Sequence, residues 1–552
     1  MIRSGGRILV DQLAAHGADL AFGVPGESYL DVLDALYDAP VRFVPARHEA
    51  GAANMAEAYG KLTGRPGICL VTRGPGAMHA AIGVHTARQA STPLILLVGQ
   101  IQRGTSGREA FQELDLRAVF GSAAKWATQV EDAARLPEIL ARAFWVARSG
   151  RPGPVVVGLP EDVLSAEADV PDAARAPVAA AAPRVADLER LRALLAEARR
   201  PLVVVGEGGW SAEAGEDLVA FATAAAVPVA ASFRCQDFVD NEAEIYAGHA
   251  GIGMMPALRE RIEQADVLVS VGGRLGDIAS GGYGLLDIPR PRQRLVHVHP
   301  DPDELGAVYQ PELAIVSGLP EFAAAARVLD LGKGAAARHG YVAEARAAYE
   351  ENRGRHRELP GELQLAEVMA LLRERLGPDA ILTSGAGNFT VWAHRFYSFR
   401  RFGTQLAPQS GAMGYGVPAA VAAKAVHPER TVVCLAGDGD FMMSGQELAT
   451  AVQEDLGIVV LVVNNGMWGT IRMHQERHFP GRAMATDLVN PDFAALARAF
   501  GAHGAVVERT QDAGAALDDA LAAGRPALVE LRVDPEAITP VQTLSEIREA
   551  AG

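Results

Sequence analysis

At 552 residues the chain exceeds what one hydrophobic core supports, so roughly two to four domains are predicted, and 49% hydrophobic with 21% charged residues and no low-complexity tract excludes a disordered protein. A formal charge of −16 without a dense basic patch excludes nucleic acid as a partner, and three dispersed cysteines, Cys69, Cys235 and Cys434, exclude a zinc site or a disulfide framework and fit a reducing cytoplasm. The opening MIRSGGRILV and apolar runs all shorter than about 18 residues predict neither export nor membrane insertion.

Residues 1–165 alternate the apolar runs VRFV, GICLVT, PLILLVG and GPVVVGL with Ala-rich helical stretches, the pattern of parallel strands joined by crossover helices. Within this unit a helix is expected to start near Glu49 and to end at Gly64. From Ser165 to about Val185 the chain turns to Ala, Pro and Asp without apolar period and reads as a linker. A second unit, 186–330, carries strand candidates at 201–208, 228–232, 267–273 and 295–300, whose strand-then-glycine ends point to a Rossmann-like layer. The charged, glycine-dotted stretch from Leu331 to Gly361 reads as a second linker. A third unit, 360–540, has strands near 381–385, 431–440 and 458–465 and resembles the first in size and layering. The expected fold class is therefore α/β: three Rossmann-like or flavodoxin-like domains with mainly parallel sheets.

The most specific local feature is Gly437-Asp438-Gly439 directly after the strand TVVCLA, with Asn465 ending the strand IVVLVVNN 27 residues after Asp438. Both groups fall at strand carboxyl ends, where open parallel sheets bind ligands. Between them Ser444 and Glu447 have the spacing of a capping box opening the helix SGQELATAVQEDL. A hard divalent cation on a diphosphate calls for a carboxylate and an amide oxygen, which Asp438 and Asn465 supply, while Gly437 and Gly439 let backbone approach phosphate. A bare Gly-Asp-Gly is more often a simple turn. The Asn464-Asn465 pair at this spacing favours the metal.

Gly-Asp-Gly followed by that Asn pair resembles the signature of thiamine diphosphate enzymes, and residues 5–535 resemble their acetolactate synthase branch. The resemblance implies a pyrimidine-binding first domain, a central domain, and a third domain that binds diphosphate and Mg²⁺ through Asp438, Asn465 and the carbonyl of Met467. RHEAGAANMAEAYG resembles the segment whose glutamate, here Glu49, hydrogen-bonds N1′ of the aminopyrimidine and shuttles its proton; taken alone, Glu49 is a first-turn glutamate complementing a helix dipole. Met413, in SGAMGYGVPAA after Gly411, corresponds to the large apolar residue against which the cofactor bends; a core Met is the other reading. Gly387 and Asn388 match the diphosphate-contacting turn, with Phe389 where His is usual. Gly439, Asp440 and Gly469 complete the implied cofactor contacts.

The fate of the species left by decarboxylation depends on the pocket. GREAFQELDLRAVFGSAAKWATQV resembles the segment that places Phe and Gln beside the thiazolium, here Phe111 and Gln112, with Lys125 further along; Phe111 also reads as core, and the Gln112 amide can donate to an oxyanion. No adjacent His-His pair occurs, which argues against the simple pyruvate decarboxylase branch. Three departures mark this chain: VPGES puts Glu27 and Ser28 at a turn near the thiazolium, His474 takes the place of the acceptor-side Trp or else lies on a helix surface, and RGPGAMH brings Arg73 and His79. VGGRLGDIAS resembles the flavin segment of the branch and keeps Arg274, so FAD is a candidate third cofactor. The expected activity is C–C bond formation or cleavage on 2-oxo acids or aldehydes by an acetolactate synthase-like carboligase. The alternatives are a 2-hydroxyacyl(-CoA) lyase, a 2-oxo acid decarboxylase, a flavin-using oxidase or, remotely, a non-catalytic cofactor-binding homologue. The implied assembly is a homotetramer, a dimer of dimers, with each active site shared between two chains.

Overall fold

Strands made almost wholly of Val, Leu and Ile have no polar face to give to water, and helices must cover both sides of the sheet they form. Leu94–Gln100 and Pro154–Pro160 are buried at every position for this reason. In the computed structural model, which describes residues 2–551, such strands build three six-stranded parallel sheets, each sandwiched by helices. The first sheet runs Arg42–Pro45, Leu20–Gly23, Gly67–Val71, Leu94–Gln100, Pro154–Pro160, Trp126–Gln129. The third runs Gln405–Leu406, Ile381–Ser384, Val432–Gly437, Val459–Asn464, Ala527–Arg532, His503–Val507. Both have the strand order 2-1-3-4-6-5 within their own unit, so the outer units share one topology. The central sheet, Tyr246–Ala250, Val229–Ser232, Pro201–Val205, Val267–Val271, Arg294–His299, Leu313–Val316, has the Rossmann order 3-2-1-4-5-6.

Each order reverses beside its first strand, which opens a crevice at the carboxyl ends of strands 1 and 3 in the outer units. Asp438 follows strand 3 of the third unit and Asn465 its neighbour strand 4, and Glu49 follows strand 2 of the first unit, so all three fall on the carboxyl edges of the outer sheets. The outer units also share a core: Met55 and Tyr59 of the helix Glu49–Thr63 pack in one cluster with Tyr415, Val417 and Ala420 at the helix Gly416–Val426. Glu57, fully buried between them, accepts from Thr92 Oγ1 at 2.8 Å and Tyr415 OH at 2.5 Å and pairs with Lys61 at 3.2 Å, so its charge is compensated where it crosses the boundary.

Two expectations change. The first unit closes just beyond Ser165, because Glu167–Asp169 pairs antiparallel with Ile2–Ser4. The stretch Leu331–Gly361 is not a bare linker but holds the helix His339–Gly354, which buries Val342, Ala345 and Tyr349 on the central unit. Its apolar face is sparse, and buried Arg338 at its start anchors it by donating to the carbonyls of Leu195, Ala198 and Ala225 at the ends of two helices. Among the described residues no helix is long and apolar enough to cross a membrane.

Candidate active site

In the third unit three neighbouring strand ends build one edge. Asp438 opens a short helix directly after Val432–Gly437 and is buried. Its Oδ1 accepts the Gly439 N–H at 2.9 Å and its Oδ2 accepts from Gly466 N at 2.9 Å and Asn490 Nδ2 at 2.8 Å. Burial nonetheless raises the Asp438 pKa, so the carboxylate remains short of compensating charge and suits a cation. Asn465 stands on the next strand end with Oδ1 accepting from Met467 N at 3.2 Å. The Met467 carbonyl takes no hydrogen bond among the described residues, because the bridge to Asp487 runs through its neighbours Trp468 and Gly466. Carboxylate, amide oxygen and free carbonyl are the donors a hard Mg²⁺-like ion takes. Glycine is required around them: a Cβ on Gly439 would lie 2.3 Å from the Trp468 ring, and one on Gly469 would lie 2.9 Å from Asn465 Nδ2.

Asp440 points away from this edge. Its Oδ1 accepts the N–H groups of Ala386 at 3.1 Å and Gly414 at 2.8 Å, tying together the two loops expected to contact the cofactor, and it faces buried Arg234 of the central unit. Arg234 in turn donates to the carbonyls of Gly385 and Pro408. The Asp440 side chain is thus a loop tie. Asn388 is likewise occupied, with Nδ2 on Ile538 O at 3.1 Å and Oδ1 accepting from Thr470 at 2.9 Å. Phe389 is buried under Gly387, whose φ of 157° is near-extended. Gly411, with φ of 72°, is exposed, and Met413 is half-buried rather than core.

Burial lifts the Asp440 pKa from 3.8 to about 6. The folded chain therefore binds this proton more tightly than the unfolded chain, so this group's contribution to stability falls as pH rises from about 4 to about 6. Asp440→Asn keeps an oxygen for both N–H donors, and its Tm should decline less between pH 4 and pH 7 than that of the wild type, by the equivalent of about 2–3 kcal/mol. Parallel Tm–pH curves would contradict this.

In the first unit Glu49 begins the helix Glu49–Thr63, which ends at Gly64 in the left-handed region with φ of 63°. Its Oε2 lies 2.9 Å from His79 Nδ1, and a Cβ on Gly76 would be 3.5 Å from its Oε1. His48, Glu49 and His79 bring ligand atoms within 4.8 Å of one another, and His48 Nδ1 accepts the Ala50 N–H at 3.1 Å. The predicted capping box is absent: the helix starts at Glu447, and Ser444 Oγ has no partner. Glu447 instead reaches across the boundary and accepts the N–H groups of Arg47 at 3.1 Å and His48 at 3.0 Å, capping the Glu49 helix from the third unit.

Glu27 is exposed at the turn, but it does not present a bare charge: Arg73 Nη1 lies 3.0 Å away, while Arg73 Nη2 pairs with Glu161. Ser28 is buried and shares a 2.8 Å hydrogen bond with Thr72, pinning adjacent strand ends together. Gln112 has φ of 65°, accepts the Gly74 N–H at 3.0 Å, and leaves its buried Oε1 without a partner. Phe111 is 75% exposed, which rules out the core reading in the single chain. Lys125 is remote in role: it donates to the carbonyls of Val146 and Ser149 at a helix end, and burial lowers its pKa to about 8. His474 is exposed on the helix Gly469–His478 and stacks on His478. Asn490, Glu447 and Arg234 carry no sequence signal for these roles, and only their partners in space reveal them.

In the central unit, Arg274 donates to Gln89 O at 2.7 Å and pairs with Glu207 at 3.2 Å. A Cβ on Gly206 would lie 2.3 Å from Gly273 Cα, so the loops after the first and fourth strands touch. A cavity of about 420 Å³ opens beside them at the junction of the three units, lined by Lys61, Glu207, Trp210, Arg234, Asp237 and Phe402 among others.

Comparison with known proteins gives these edges a common origin. The thiamine pyrophosphate enzyme models match in chain order: the N-terminal TPP binding domain at residues 3–119, the central domain at 188–326 and the C-terminal TPP binding domain at 385–531. The acetolactate synthase large subunit of Corynebacterium glutamicum is 33% identical, with 97% of this chain and 87% of that one covered. The acetolactate synthase isozyme 2 large subunit of Escherichia coli is 32% identical, with 96% of each covered. A probable acetolactate synthase large subunit of Methanocaldococcus jannaschii is 28% identical, with 97% and 93% covered. Three models of one family in order, and relatives aligned along nearly the whole of both chains, settle the matter: this chain belongs to the thiamine pyrophosphate enzymes, on their acetolactate synthase-like branch.

Proposed function

We propose that the protein is a cytoplasmic, thiamine diphosphate- and Mg²⁺-dependent carboligase that takes a 2-oxo acid as donor and a carbonyl compound as acceptor. The observation that carries the reading is the placement of Glu49 at the carboxyl edge of the first sheet, after its second strand, and of Asp438, Asn465 and the free Met467 carbonyl at the carboxyl edge of the third, after its third and fourth strands. The chemistry thiamine diphosphate supplies when bound is an electron sink beside the carbonyl that loses CO₂. Asp438, Asn465 and the Met467 carbonyl would hold the Mg²⁺ ion beside the diphosphate. Glu49 gives and takes a proton at N1′. The Gln112 side-chain amide would donate from Nε2 to a substrate oxygen, with Met413 as an apolar support. Glu27, neutralised by Arg73, and His474 give the acceptor side a polar wall, which favours a neutral, hydrogen-bonding aldehyde over a second 2-oxo acid anion. The three free, buried thiols fit a reducing compartment.

The assembly is a homodimer, paired again into a tetramer, with Glu49 of one chain completing the metal edge of the other. Both edges carry exposed apolar side chains: Leu30, Met78 and Phe111 in the first unit, and Met443, Ile471 and Met484 in the third. No hydrogen bond or ion pair joins Glu49 to Asp438 or Asn465 among the described residues of one chain. Mixing Glu49→Gln with Asp438→Ala chains after subunit exchange should restore about a quarter of wild-type activity, since half the dimers are hybrid and each hybrid has one intact site. No recovery on confirmed exchange would place each site within one chain.

FAD does not fit the central unit well. The retained Arg274 is held by Glu207 and Gln89, the neighbouring loops are in contact, and Asp237 offers the cavity an unpartnered carboxylate oxygen. The purified protein is expected to carry well under one flavin per chain, as checked by its visible absorption; stoichiometric FAD would contradict this.

A further inference from the structure

We propose that His79 is a positioning residue for Glu49, fixing which carboxylate oxygen meets the cofactor; the inference rests on the thiamine diphosphate reading above. His79 lies in the helix Gly74–Ala90, with Nδ1 2.9 Å from Glu49 Oε2. A carboxylate oxygen accepts, and the imidazole tautomer with its proton on Nδ1 is the one that donates to it. The ring is held against that of His48, centroids 4.5 Å apart. His48 is itself fixed, because its Nδ1 accepts the Ala50 N–H at the start of the Glu49 helix. No other hydrogen bond reaches the Glu49 carboxylate among the described residues. Oε2 is therefore engaged and Oε1, beside Gly76, is the oxygen left for N1′. A carboxyl free to rotate about its last torsion would present either oxygen; holding one restricts it to the geometry that proton exchange needs. His79 has a side chain 51% exposed, so its replacement removes a contact rather than core packing.

The Nδ1 contact makes the replacements specific. Asn places an amide N–H where Nδ1 sits, Phe keeps the stack on His48 without a donor, and Ala removes both. Two quantities are measured with Mg²⁺ present: thiamine diphosphate Kd by calorimetry, and exchange of the bound cofactor's C2 proton by NMR. His79→Asn should stay near wild type in both, whereas His79→Phe and His79→Ala should slow exchange about 10- to 100-fold at unchanged Tm. In a Glu49→Gln background, His79→Phe should add nothing further. Wild-type exchange and Kd in His79→Phe and His79→Ala would overturn the proposal, as would a loss in His79→Asn as large as that in His79→Phe. A wild-type protein that neither binds thiamine diphosphate nor accelerates C2 exchange would overturn the underlying reading and this inference with it. One that does both, with the His79 variants unchanged, would reject the positioning role alone.

Discussion

Glu49→Gln is expected to slow C2 proton exchange on bound thiamine diphosphate by about two to four orders of magnitude, the usual worth of a positioned general acid–base group. The fold should tolerate the change. Gln has the same shape, its carbonyl oxygen can still accept from His79 Nδ1, and the helix start remains capped by Glu447 on the N–H groups of Arg47 and His48. What is lost is one negative charge in a first helical turn, worth about 0.3–1 kcal/mol, and the carboxyl that gives a proton to N1′ and takes it back. Cofactor affinity should therefore stay within severalfold of wild type. NMR of the acid-quenched cofactor after a deuterium jump measures the exchange, and a variant exchanging as fast as wild type would remove Glu49 from the mechanism.

Asp438→Ala should act on binding instead. The carboxylate is buried, its pKa is raised by desolvation, and its oxygens organise Gly439, Gly466 and Asn490 around the place expected for the cation. Removing it leaves Asn465 and the Met467 carbonyl as neutral donors, too weak to bridge an ion to a diphosphate. Losing one partner of a buried ionic interaction costs about 3–5 kcal/mol, or roughly two to four orders of magnitude in Kd. Calorimetry with Mg²⁺ present measures it; an unchanged Kd would mean that the diphosphate is held elsewhere.

The parts of this site legible in the sequence are those fixed by neighbours in the chain. Gly-Asp-Gly after an apolar strand, a helix running from Glu49 to a left-handed Gly64, and an Asn closing the next strand are local patterns, and all three stand in the structure. The features that the sequence hides depend on partners far away. Ser444 and Glu447 have capping-box spacing, yet Glu447 caps a helix 400 residues earlier because the two outer units share a core. Asp440 looks ill-placed beside a diphosphate until the loops at Ala386 and Gly414 and the Arg234 guanidinium account for it. Glu27 stands in the sequence as an unpaired carboxylate because Arg73, 46 residues on, cannot be paired with it from spacing. Short or mixed strands such as Leu20–Gly23 and His503–Val507 escape because four or five residues carry too little periodicity.

Product analysis of the wild-type protein tests the central claim most directly. The protein is supplied with thiamine diphosphate, Mg²⁺, a panel of 2-oxo acids and a panel of aldehydes, and CO₂ release is followed alongside C–C bonded products. The account predicts decarboxylation that requires both cofactors and is coupled to a carboligation product, with neutral aldehydes preferred over a second 2-oxo acid as acceptor. Release of free aldehyde without any new C–C bond would contradict the carboligase assignment, and absence of both CO₂ and product across the panel would contradict the 2-oxo acid chemistry itself.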